Sequence, residues 1–577
     1  MRSRLLAAPG WPMSSAPRNP NFMLITSNFH LISCTLVPPH HTAAFTPAAS
    51  FAYLSHLTMP KPKQFLKETK KKSKHAPSVP TTADEYLAAG VDFEEAGEKW
   101  RGGDAAKSTR FFVRAIDCYD EALKKFPHSF DLAYNKARLQ YELTQHPKLL
   151  QQLPGSLLEL LQTAIESSKY ALKLNEQNAD VLFNTAQALT SYVEALQDAS
   201  NVTDPLPFLE EALELFQKCL EYQELQHREF EEQSAAAFAA QETDTDDGGV
   251  SLTAGSTMDV DSEPATSSAN RDQPLDMPSS QPAELEDDRW ATIVEPVTNS
   301  SLLDTILAQL RTLSLLCTLL PIPSDQALKF IQSYATNILE TKLDAYTLTT
   351  NRDIESHIAR SDYISSLTDL QFRNSLLTPQ SYFSTITTLY TIPTIQTNPE
   401  ALVKSAESLI TFHQNVTLTN PTPTSHHDPS LSALSWSALS TALENLTKAS
   451  KLPDVENLAA VHVLRGDVEM LRYQMGQQGF DIAKKNEGAL LKNAEVFYRG
   501  GKNVSKAEVE RGEDGAVGRE GMVKEVVVKG LRGEREAVGG LKGLQGWEGG
   551  EVEKILREAV EDGVFGWGLL EGLGVVV

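Results

Sequence analysis

Few residues of this chain have the type and spacing that chemistry requires. His426 and His427 stand beside Asp428, a set that offers two imidazoles and a carboxylate. They fall in a Pro/Ser/Thr-rich stretch, where adjacent imidazoles read as solvated side chains rather than metal ligands. The four cysteines, Cys34, Cys118, Cys219 and Cys317, lie far apart with no CxxC pair. That spacing argues against zinc and against a disulfide framework, and fits a reducing compartment. Cys118 and Cys219 fall on helical patterns and read as small core hydrophobes. No phosphate loop, dinucleotide fingerprint, HExxH pair or GxSxG elbow occurs. Arg465-Gly466-Asp467 reads as a turn in a helical hairpin, and the sequons at Asn201, Asn299, Asn415, Asn445 and Asn503 carry no weight without a secretory signal. The expectation is a protein with no enzyme activity, no cofactor and no metal.

What remains is recognition, and the elements that would support it are helices. From Glu85 onward, small and large residues recur at helical spacing. Ala115, Tyr119 and Ala122 share one face at i, i+4 and i+7, with Pro127 five residues later. Small residues there let a neighbouring helix approach, the aromatic fills the gap, and proline ends the helix. Ala137 follows ten residues on, between Tyr134 and Tyr141. The cycle recurs at Ala164, Ser168 and Ala171, then Ala186, then Ala212, Phe216 and Cys219.

This alternation over about 85–223 resembles the tetratricopeptide repeat (TPR) family, which implies antiparallel helix pairs stacked into a right-handed superhelix. The family leaves about 12 residues between the small residues of its paired helices. Here the intervals are 19 (Ala96 to Ala115), 27 (Ala137 to Ala164) and 26 (Ala186 to Ala212), so each unit needs a longer second helix, a longer loop, or both. The resemblance also implies a groove for extended peptides, in which Asn135 and Asn184 occupy equivalent places. An asparagine amide offers donor and acceptor to a peptide backbone, and Tyr134 and Tyr141 would add contacts. The basic partners of a carboxylate clamp are missing, so the expected ligand is an internal or basic segment.

Charge is distributed unevenly. The net charge is −24, yet residues 1–80 carry ten Lys/Arg and one acid, leaving about −33 for the rest. An acidic body disfavours direct nucleic acid binding and suits basic protein partners such as histones or ribosomal proteins. Lys70, Lys71, Lys72 and Lys74 form the cluster that a nuclear import receptor would read. Residues 239–289 hold thirteen acids and two arginines among Gly, Ser, Thr and Pro, a composition that cannot bury enough to fold alone. Asp244, Asp246, Asp247, Asp259, Asp261 and Glu263 are its candidate contacts with a basic client. An acidic insert in such an array also resembles, in architecture, the interrupted-repeat histone chaperones.

Helical patterns resume after Trp290. Leu302 to Leu320 is apolar, but Asp304, Gln309 and Arg311 mark it as a buried helix rather than a membrane span. Ala442, Leu446 and Ala449 repeat the second-helix spacing, and residues 348–430 give weaker signals. The expected organisation is an all-α, TPR-like solenoid in two halves. It comprises a disordered basic extension (1–80), repeats (81–224), an acidic insertion (225–289), a second, partly degenerate repeat half (290–500) and a Gly-rich charged tail with a short terminal helix (501–577). The final apolar stretch, GVFGWGLLEGLGVVV, reads equally as a docked cap or a free tail. The functional expectation is an adaptor or assembly chaperone in nucleus or cytoplasm that holds a basic client through groove and acidic segment. The alternative is a structural scaffold in a multiprotein complex, with the acidic segment only a linker.

Overall fold

The computed structural model describes residues 80–198, 203–243, 296–419, 429–510, 515–543 and 550–575, apart from 322, 324, 394 and 454. Lys70 to Lys74, the acidic contacts from Asp244 to Glu263, Cys34, Asn201 and the His426–Asp428 set lie outside them. Among the described residues every regular element is a helix and no strand occurs, so the fold is all-α.

The first helices are α1 (Ala83–Arg101), α2 (Ala105–Lys125), α3 (Phe130–Thr144), the short α4 (Pro147–Leu150), α5 (Leu157–Leu174), α6 (Ala179–Asp198) and α7 (Leu206–Thr243). After the acidic segment come α8 (Asn299–Leu319), α9 (Asp325–Asn337), a π-helical turn at Ile338–Lys342, α10 (Leu343–Thr350), α11 (Asp353–Arg373), α12 (Pro379–Leu389) and α13 (Pro399–Thr419). The last group is α14 (Pro429–Ala449), α15 (Leu458–Gln477), α16 (Asp481–Lys485), α17 (Glu487–Glu510), α18 (Ala516–Leu531), α19 (Arg535–Gly543), α20 (Glu551–Glu561) and α21 (Trp567–Gly572). The described residues divide into two units, one of 80–224 with 298–575 and one of Leu225–Thr243 with 296–297. In the smaller unit His227 Nδ1 lies 2.8 Å from the Val297 carbonyl oxygen.

Within the larger unit, many helices pack with a chain neighbour and also with a helix two or three further along the chain. Thus α1 meets α3, α3 meets α6, α6 meets α8, α8 meets α11 and α11 meets α13. That is the two-layer arrangement of a helical-hairpin array, in which each hairpin covers its neighbour's apolar face. The spaced residues sit where a close approach needs them. Ala115, Tyr119, Ala122, Ala164, Ala171, Ala186, Ala212 and Cys219 are all fully buried, as are Ala442, Leu446 and Ala449. The long intervals have two sources. The connection from α3 to α5 carries the extra turn α4, and α6 runs for 20 residues.

Starts and stops follow local chemistry. Thr82 with Glu85 and Ser156 with Glu159 form capping boxes at α1 and α5. At the other end of α8, Arg373 donates to the carbonyls of Leu320 (2.8 Å) and Cys317 (2.7 Å), so a side chain of α11 satisfies orphan acceptors of α8. By length and composition α8 could cross a membrane, but 78% of its apolar window is buried inside the protein, as its internal polar residues lead one to expect.

Two expectations are corrected. Arg465, Gly466 and Asp467 form no turn; they lie inside α15. A Cβ on Gly466 would strike the Tyr498 ring from α17, so the glycine is a docking point rather than a breaker. The Gly-rich region from 501 is likewise no tail with one helix. Helix α17 runs through residue 500 to Glu510, and Val523, Val527, Val528, Ile555 and Leu556 join the core. Gly501 and Gly521 meet Val463 of α15, and Gly530 meets Val538 and Leu573. The final stretch docks: Val564, Phe565 and Leu570 are buried, although Trp567 is half exposed.

One buried titratable group carries a pH prediction. His413 on α13 shares a 3.1 Å hydrogen bond with Ser435 Oγ on α14, and burial lowers its pKa to about 4. The unfolded imidazole takes up a proton near its ordinary value while the folded one resists it. Its stabilising contribution is therefore complete above about pH 6.5 and lost as pH falls toward 4, an amount of about 3 kcal/mol. His413→Gln removes this titration. Urea midpoints of parent and variant measured from pH 7 to pH 4.5 should show the parent losing its advantage with acidification; a pH-independent difference would show that His413 does not titrate this way.

Candidate binding face

The groove residues expected from sequence all fall on α3 and α6, and the structure brings Tyr134, Tyr141 and Asn184 to the seam between those helices. All four are buried rather than exposed to an open channel. Tyr141 is the most enclosed, at 1% exposure, and shares a 3.0 Å hydrogen bond with Ser191 of α6. Burial pushes its phenol up to about 12. Asn135 donates its amide to the Asp131 carbonyl one turn back, at 2.8 Å. These two are committed to internal bonds, so their expected peptide contacts are not available in this structure.

Asn184 and Tyr134 differ. Asn184 is 3% exposed, and neither its amide nitrogen nor its oxygen has a partner of good geometry. Tyr134 stacks on Phe130 at 5.9 Å, and its hydroxyl faces Asn184 without closing a well-formed hydrogen bond. Burial, and then the Asp180 carboxylate, raise the Tyr134 phenol well above its ordinary value, so it stays a neutral donor. Leaving such groups unpaired costs about 1–3 kcal/mol each.

Beside them runs an ionic cluster that sequence spacing did not reveal. Arg138, one turn beyond Tyr134, is buried and pairs with Glu94 of α1 and with Glu142 at 2.9 Å. Tyr119 of α2 donates to Glu94 at 2.6 Å, and Arg101 of α1 also reaches Glu142. Burial alone would lower the Arg138 pKa, but the Glu94 and Glu142 carboxylates outweigh it and hold the guanidinium charged. The same layer continues through Thr190 to Thr312 (3.1 Å) and Glu194 to Arg311 (2.7 Å), joining α6 to α8. Apart from Arg138 to Glu142, one helical turn away, these bonds join residues 25 or more positions apart, which is why no local pattern announced the cluster.

Burial raises the pKa of Cys118, of Cys219 and, to about 12, of Cys317. Cys118 is only part-buried, whereas Cys219 is core as expected. Among the described residues no group of three His, Cys, Asp or Glu side chains is placed to hold a metal ion.

No family model matches the chain. It is similar to the UPF0656 protein C926.02 of Schizosaccharomyces pombe, 33% identical over 168 residues, or 29% of this chain and 37% of that protein. It is also similar to the uncharacterized protein YNL193W of Saccharomyces cerevisiae, 27% identical over 195 residues, or 29% of this chain and 34% of that protein. Among solved structures it is similar to the S. pombe nuclear import adaptor Nro1, at 12% identity and a TM-score of 0.27, over 64% of this chain and 94% of that one. A circular tandem repeat protein of novel repeat topology matches at 12% identity and a TM-score of 0.25, over 85% of this chain and 99% of that one. The chain spans about a third of the length of the curated relatives it matches.

Proposed function

We propose that this protein is a TPR-like adaptor or assembly chaperone that holds a basic client protein. The observation that carries the reading is the pairing of a stacked helical array with a segment, 239–289, of thirteen acids and two arginines. A polyanion tethered to a rigid array attracts a basic client at long range, and helical surfaces then supply short-range contacts. Asp244, Asp246, Asp247, Asp259, Asp261 and Glu263 are the proposed ionic contacts, and Lys70, Lys71, Lys72 and Lys74 the proposed nuclear-import signal. The test is affinity purification from native extract with the full chain and with a chain lacking 239–289. Basic clients held at low salt, and lost from the deleted chain, support the reading. Clients retained equally by both, in high salt, would show a scaffold whose acidic segment is a linker.

For the seam, the proposal narrows to Asn184 and Tyr134, whose unmade bonds a client's backbone would complete on opening of the seam that buries them in this structure. Asn184→Leu replaces an unsatisfied amide with an isosteric apolar group. It should stabilise the free protein by about 1–2 kcal/mol while weakening client capture. Thermal unfolding and the same purification check both halves. Stabilisation with unchanged capture would make Asn184 a packing residue only.

A further inference from the structure

We propose that the outer face of α17, with the adjoining end of α18, is a docking surface for an acidic peptide segment of a partner protein. The inference is independent of the basic-client reading, because it concerns different helices and the opposite charge. Lys484 to Arg532 holds eleven Lys/Arg and eight Asp/Glu, so the sequence there looks nearly balanced. The fold separates the two signs. Glu495 and Glu525 are buried, while the cations around them reach solvent. Glu525 takes Arg499 (3.2 Å), Lys529 (2.8 Å) and Lys502, and Glu495 takes Arg499 and Arg532. Four cations thus share two carboxylates, and the excess positive charge faces outward on side chains that the buried acids hold in place.

Along the exposed ridge of α17 stand Lys492, Val496, Arg499, Asn503 and Lys506, spaced at alternating four and three residues, with no acid among them. The stripe ends before Glu508. From Lys492 to Lys506, fourteen residue steps, it runs about 21 Å, the length of about six residues of extended peptide. Val496, half exposed in the middle, offers an apolar contact, and Asn503 a donor and an acceptor. Arg499 and Arg532, each tied to a buried carboxylate, keep further guanidinium N–H donors for another one. A short run of carboxylates matches a patch of this size. A nucleic acid would extend past it onto the body of a chain carrying −24, where its phosphates are repelled.

The test uses the full chain and a fluorescent peptide of twelve glutamates, with binding read by anisotropy. Binding is expected at about 50 mM salt and should weaken strongly by about 200 mM. Lys492→Glu with Lys506→Glu reverses two exposed charges outside the buried ion pairs. It should weaken binding roughly tenfold or more and leave the thermal unfolding midpoint unchanged. A glutamine peptide of equal length should not bind. The proposal is overturned if the glutamate peptide fails to bind, if the double variant binds it as well as the parent, or if a single-stranded oligonucleotide of equal charge binds more tightly.

Discussion

Replacing Lys524 with methionine is expected to destabilise the protein by about 3–5 kcal/mol at neutral pH. The Lys524 ammonium is enclosed between α15 and α18, 2.8 Å from Asp467 Oδ1, 3.0 Å from Asp467 Oδ2 and 2.6 Å from Glu520. Burial opposes its charge, but those two carboxylates outweigh burial and hold its pKa above the ordinary lysine value. Asp467 is the vulnerable partner. Burial raises its pKa despite Lys524 and despite a 2.7 Å bond from Tyr498, and Asp562 nearby is raised to about 7 for the same reason. Without the ammonium, Asp467 is left as a buried carboxylate with no cation, beside the part-exposed Glu520. With its cation gone, Asp467 has a folded pKa still further above its unfolded one, a penalty that is small at low pH and grows as pH rises. Urea midpoints should therefore show a deficit larger at pH 8 than at pH 5. Adding Asp467→Asn should recover much of the loss. A pH-independent deficit, or no recovery, would show that lost packing rather than stranded charge is responsible.

That pair also shows where sequence reading stops. Asp467 and Lys524 lie 57 positions apart, and Gly466 reads as part of a turn until Tyr498 is seen to dock on it. Local spacing did identify what local spacing controls. The faces Ala115/Tyr119/Ala122 and Ala442/Leu446/Ala449 are buried because a helix period places them together, whatever the partner. The same logic placed Tyr134 and Tyr141 on one face, and the resemblance to the repeat family added Asn135 and Asn184. Neither said that the seam between α3 and α6 would close over them, since closure depends on the facing helix. The glycines after residue 500 misled for a related reason. Glycine marks both a flexible tail and a close helix–helix approach, and only the partner, here Val463 for Gly501 and Gly521, distinguishes them.

Arg138→Met applies the same physics to the first helices and separates folding from recognition there. Arg138 joins α3 to α1 through Glu94, whose side chain is about as enclosed as its own. Glu142 would keep Arg101 after the change, so it loses little. Glu94 would keep only the Tyr119 hydroxyl, a neutral donor that cannot balance a buried carboxylate. The expected cost is about 3–5 kcal/mol, with Glu94→Gln in the same chain restoring most of it, because a neutral amide needs no cation. Urea unfolding of the parent, the single variant and the double variant measures this directly. The double variant also isolates the seam's role: Tyr134 and Asn184 are untouched, so it should capture clients as the parent does. If it folds like the parent but captures less, the Arg138 guanidinium itself contacts the client, and the recognition surface extends from the α3–α6 seam toward α1.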